Sequence, residues 1–116
     1  MGKKVEYKRE RHEVSDATTP WDMKFNTVRQ GWKLTIQHVS VENEDTGFTE
    51  LKIGYETERG VLHWWVSQES PQAGVLYWMD KQKVLTEGMQ LVIRFDTTTD
   101  GDDLYAYVDG YEEKMD

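Results

Sequence analysis

The chain has 116 residues, 37% hydrophobic and 31% charged, with a net charge of −8 and no cysteine. That length makes one domain with one modest core. The composition excludes disulfides and thiolate metal sites, and the acidic balance argues against nucleic acid as the ligand.

The N-terminus runs Met1-Gly2-Lys3-Lys4 into alternating charges rather than an apolar segment, so no secretory signal is expected. Glu6 stands where a myristoylation motif on Gly2 wants Ser or Thr. Residues 3–14 alternate loosely, with Val5 and Tyr7 on one side and charges on the other, as an arm or an edge strand would. Ser15–Pro20 is a loop by composition. The expected organisation is an N-terminal arm over residues 1–20 and one β-domain over residues 21–116.

Trp21–Val28 holds a short strand with Met23 and Phe25 inward. Gly31–Asn43 is the clearest strand: Trp32, Leu34 and Ile36 alternate with Lys33, Thr35 and Gln37. Val39 and Val41 then continue the apolar series on odd positions, so one residue is inserted near His38, as in a β-bulge. Glu42–Gly47 has turn chemistry. Phe48–Glu58 points Leu51, Ile53 and Tyr55 inward, and Glu58-Arg59-Gly60 turns the chain.

Val61–Ser67 is apolar on both faces, with Val61, His63 and Trp65 on one and Leu62, Trp64 and Val66 on the other. After the Gln68–Gly74 loop, Val75–Met79 is a second such run. Val84 and Leu85 lead into the turn Thr86-Glu87-Gly88. Gln90–Phe95 carries Leu91, Ile93 and Phe95 inside, and Asp96–Asp103 is a polar loop. The last strand, Leu104–Tyr111, sends Leu104, Ala106, Val108 and Gly110 one way and Tyr105, Tyr107, Asp109 and Tyr111 the other.

No helical periodicity competes with this pattern. The expectation is an all-β, single antiparallel β-sandwich of about eight strands, jelly-roll-like, with an extended N-terminal arm. An immunoglobulin-like sandwich comes second, because its Cys…Trp…Cys signature cannot exist here.

Catalytic chemistry finds no foothold. His12, His38 and His63 are scattered, without the spacing of zinc ligands. Asp96, Asp100, Asp102 and Asp103 lack the EF-hand spacing and read as a solvated turn. There is no nucleophile elbow and no phosphate-binding glycine loop. No catalytic residue, metal or cofactor is expected. No apolar run reaches membrane-spanning length, so no membrane partner is expected either.

Aromatic residues are the strongest feature. Trp64 and Trp65 are adjacent, so one points to each face of its strand, and Tyr77 and Trp78 repeat the arrangement. A strand apolar on both sides must be covered on both sides. Residues 3–14, another subunit or a ligand could provide that cover. Charge supports contact between subunits: Lys3, Lys4, Lys8, Arg9 and Arg11 against Glu6, Glu10 and Glu13 leave residues 1–13 at +2. The remainder sums to −10. Ordinary surface solvation explains the same numbers. The candidate partner-binding residues are Val5, Tyr7, Arg9 and Arg11 in the arm, with Trp64, Trp65, Trp78, Tyr105 and Tyr107 among the surplus aromatics. Such aromatics serve a subunit interface or a sugar-stacking platform, and a monomer core would also use them.

Three stretches carry a family resemblance: Trp32 to Val41, Val84 to Phe95, and Gly101 to Tyr111. Together they resemble small bacteriophage virion proteins built on a single β-sandwich. The resemblance implies a non-enzymatic capsid decoration (cement) protein, or a neck, tail or baseplate component. It implies a virion location after synthesis in the host cytoplasm. It also implies contact with copies of itself, in a trimer or ring, and with a major capsid protein or other virion protein. A carbohydrate-binding attachment module is the alternative.

Overall fold

The described residues form nine strands and no helix. The computed structural model describes residues 3–16 and 18–115; Met1, Gly2, Ala17 and Asp116 lie outside the described residues, so the Gly2 motif and part of the expected arm do as well. The strands are β1 (Lys4–Val14), β2 (Trp21–Lys24), β3 (Trp32–Asn43), β4 (Glu50–Glu56), β5 (Leu62–Glu69), β6 (Tyr77–Met79), β7 (Lys83–Thr86), β8 (Gln90–Asp96) and β9 (Asp103–Lys114).

They form two antiparallel sheets. One runs β1-β9-β3, with β6 and β7 sharing the far edge of β3; the other runs β2-β8-β4-β5. Merging β6 and β7 into one interrupted strand leaves eight positions wound as a jelly roll. The expected sandwich is therefore present, with nine segments rather than about eight. Of the two possibilities for residues 3–14, the structure takes the edge strand: β1 pairs with β9 from Lys4↔Glu113 to Val14↔Asp103.

Alternation puts one apolar row of each strand between the sheets. Met23, Ile36, Ile53, Leu91, Phe95 and Leu104 are fully buried there. Two interruptions set the phase. In β3 the register along β9 shifts between Ile36 and His38, so Gln37 is the extra residue. That bulge keeps Leu34, Ile36, Val39 and Val41 all inward, as the change of phase in the sequence requires. In β5 the register shifts opposite Ile53 and Gly54, which makes Trp65 the extra residue. Both Trp65 and Val66 then pack on the core, and Trp64 lies outside. Simple alternation grouped Val66 with Trp64; the bulge corrects that assignment.

Each bulge faces a glycine across the strand pair. A Cβ on Gly54 would stand 1.9 Å from the His63 carbonyl oxygen, and one on Gly110 would stand 2.0 Å from that of Thr35. Only a residue without Cβ allows the bulged strand to come so close.

The chain crossings at one end of the sandwich are tied by Asp102, which is 2% exposed. Its Oδ2 accepts from Asn43 Nδ2 at 2.9 Å, from the Thr99 backbone N–H at 2.9 Å and from the Thr46 hydroxyl. Burial pushes this carboxyl up, but the hydrogen bonds from Asn43, Thr46 and Thr99 outweigh it and hold it below the usual 3.8.

Substituting Gly54→Ala or Gly110→Ala is expected to cost about 2–3 kcal/mol in urea unfolding, because backbone must move to admit the methyl group. Asp102→Asn is expected to cost about 1–3 kcal/mol at neutral pH by leaving buried donors mispaired. A carboxyl with a lowered folded-state pKa contributes stability above its unfolded value and loses it as pH falls through the folded value. The wild type therefore loses this contribution below about pH 4, and a melting series against pH should show a shallower acid limb in Asp102→Asn. Removing residues 1–14 deletes a fully paired edge strand and the buried Tyr7, so it is expected to lower the melting temperature rather than leave the sandwich untouched.

Candidate interaction surface

The nine candidate residues fall into three places. Val5, Tyr7, Arg9 and Arg11 share the inward side of β1, since each pairs with an inward position of β9 or its continuation: Glu112, Gly110, Val108 and Ala106. Tyr7 is a core residue at 6% exposure, not a free contact. The Arg9 guanidinium lies 4.2 Å from the centre of its ring. Arg11 spans the open seam between the sheets: its Nε donates to Glu13 at 2.8 Å, and its Nη1 donates to the Lys24 carbonyl. Glu13 also accepts from Trp21 Nε1 at 3.0 Å. The two edge strands β1 and β2 are thus stitched together by polar groups in the gap. Val5 remains partly exposed.

Trp64 and Trp65 occupy opposite sides of β5. Trp65 packs inward, 5.2 Å from the Tyr55 ring centre and beneath Lys83 Nζ. Trp64 lies on the outer face of the four-stranded sheet, across Gly54. Arg94 sits 5.0 Å and Lys52 5.8 Å from its ring centre. Asp22 fixes Arg94 through two hydrogen bonds of 2.8 and 2.9 Å. Arg94 and Lys52 therefore flank this indole on the outer face of the sheet.

Trp78, Tyr105 and Tyr107 are brought together on the outer face of the five-stranded sheet. β3 runs through its middle with small residues: Ser40 lies between Tyr107 and Trp78, and Thr35 lies between Tyr111 and Val84. Ser40 and Thr35 are buried on this face by their large neighbours. Tyr105 stacks on His12 at 4.5 Å between centres, and His12 Nε2 is 2.8 Å from Asp103 Oδ1. Both phenols are pushed up, first by lost water contact and then by acidic neighbours: Glu44 and Asp103 for Tyr105, and Glu10, Glu42 and Glu44 for Tyr107. At neutral pH each remains a protonated hydrogen-bond donor in an acidic corner.

The apolar end of the face is the β6–β7 edge. Trp78 is 63% exposed and Val84, on the same side, 49%. Val75, Leu76, Tyr77 and Trp78 line one shallow hollow. Val84 was not a sequence candidate. Its signal was present, however: Leu85 beside it is buried, so one of two adjacent apolar residues had to point out. Asp102 is committed to internal donors, and among the described residues no group of three or more His, Asp or Glu is arranged to hold a metal.

The chain matches no protein-family model and no curated protein sequence. Among solved structures it is similar to a subunit of the Bacillus endospore appendages, described as a novel family of disulfide-linked pili. The TM-score is 0.58 at 9% identity, covering 100% of this chain and 92% of that one. It is also similar to a chain of the infectious bursal disease virus Gx strain, with a TM-score of 0.49 at 10% identity, covering 97% of this chain and 31% of that one. At 9% identity the likeness to the appendage subunit is one of fold alone.

Proposed function

We propose that this chain is a non-enzymatic structural subunit, a capsid decoration (cement) protein that docks on a viral shell through its β6–β7 edge. The observation that carries the proposal is Trp78, 63% exposed beside Val75 and Leu76, with Val84 following on the same edge. Exposed apolar side chains gathered in one place mark interaction surfaces. They contribute little to an isolated sandwich. Covered by a partner, they contribute about 25 cal/mol per Å².

The rest of the surface agrees with a passive role. The hollow between β1 and loop 25–31 is lined by Arg9, Arg29 and Glu112 rather than by a nucleophile with a base. A chain of similar fold and matching length comes from the Bacillus endospore appendages, which are disulfide-linked pili. Without cysteine this chain cannot use the disulfide links of those pili, so its assembly depends on non-covalent burial.

The test is Trp78→Ala in the full chain. Because Trp78 is exposed, the substitution is expected to leave the melting temperature unchanged. It is also expected to weaken docking on undecorated phage heads at least about tenfold, the loss typical of a buried aromatic anchor. Docking of the wild type is read by co-sedimentation with the heads. A wild type that ignores the heads but binds on a glycan array, with binding lost in Trp78→Ala, would move the assignment to a carbohydrate-binding module.

A further inference from the structure

Strand β1 has one paired edge and one free edge. Lys114 N–H donates to the Lys3 carbonyl at 2.8 Å and Ser15 N–H donates to the Asp102 carbonyl at 2.9 Å, so odd residues turn their backbone groups toward β9. By the alternation of an antiparallel ladder, Lys4, Glu6, Lys8, Glu10 and His12 turn theirs outward. No described strand pairs there. Among the described residues, Arg9 reaches that side, donating to the Lys8 carbonyl at 2.9 Å. The same even residues carry their side chains on the outer face, level with Tyr105, Tyr107, Asp109 and Tyr111.

Their signs alternate as Lys4, Glu6, Lys8, Glu10. An edge charged with one sign repels a second copy in every register. An alternating edge repels it only in some. Centred on Lys8, an antiparallel second copy sets Lys8 against Lys8 and Glu6 against Glu10. Centred on Tyr7, it sets Lys4 against Glu10 and Glu6 against Lys8, each pair occurring twice. Centring on Arg9 also matches Lys8 with Glu10. However, it places Arg9 against Arg9 on the inward side, in the closer type of antiparallel pair, with Cα atoms about 4.5 Å apart. The Tyr7 register instead lays the Arg9 stem against the partly exposed Val5. Its one like-charged opposition is Arg11 with Lys3 at the fringe, where Glu13 already holds Arg11.

We propose that two copies of this chain pair antiparallel through β1, in the register centred on Tyr7, so that their five-stranded sheets join into one. This contact lies on the opposite edge of the sheet from Trp78 and does not rest on the docking role proposed above.

The experiment is sedimentation equilibrium on the full chain, with circular dichroism to confirm folding. The wild type is expected to dimerise, more weakly in high salt. Glu6→Lys and Lys8→Glu should each weaken the dimer at least about tenfold, by setting like charges opposite one another twice. Mixing the two variants should restore it. One chain then carries cations at 6 and 8 against anions at the same positions of the other, which gives matched pairs in the Tyr7 register and not in the Arg9 register. Trp78→Ala should dimerise as the wild type does. A wild type that stays monomeric at its solubility limit overturns the proposal, as do charge variants that dimerise unchanged or a mixture that does not recover. A dimer lost only in Trp78→Ala overturns it while leaving the docking role standing; failure of the heads to bind, with the β1 dimer intact, removes the docking role alone.

Discussion

The pairing of β3 with β9 is the constraint on which the other features depend. It runs from Trp32↔Lys114 to Asn43↔Leu104 and shifts once, where Gln37 bulges between the Ile36–Gly110 and His38–Asp109 pairs. Upstream of the bulge the even residues of β3 face the core; downstream the odd residues do. Without the inserted residue, either Leu34 and Ile36 or Val39 and Val41 would have to face solvent. The bulge also aligns Ser40 and Thr35 on the outer face, between the tyrosines of β9 and the Trp78 and Val84 of the far edge. The same irregularity therefore completes the core and shapes the surface that remains free. Gly110 makes it possible, because a side chain there would collide with the Thr35 carbonyl.

The two free edges of the five-stranded sheet manage their exposure differently. On β1, alternating charges cover the outer side, while Arg9, Arg11 and Glu13 fill the inward side that faces the seam. On β6 and β7, short strands limit the free backbone but leave Trp78 and Val84 in solvent. Charges cost little to expose and fix register; exposed indole and valine side chains favour association but select partners less sharply. One sheet thus presents an electrostatic edge and an apolar edge at its two ends, separated by β9 and β3.

Alternation and turn composition in the sequence were enough to determine an all-β sandwich, the position of nearly every strand, the β3 bulge and the opposite facing of Ala106 and Tyr107. These follow from a period of two, which any extended chain obeys wherever it lies. The sequence did not determine what covers each side. That Tyr7 is core, that β1 lies along β9, that Trp65 and Val66 both turn inward, and that Trp64 sits under Arg94 while Trp78 stands in solvent were decided by tertiary structure. Periodicity states that two neighbours point apart, but which of them meets protein depends on the strand or sheet that arrives alongside, and that is set by pairings as distant in sequence as Lys4 with Glu113.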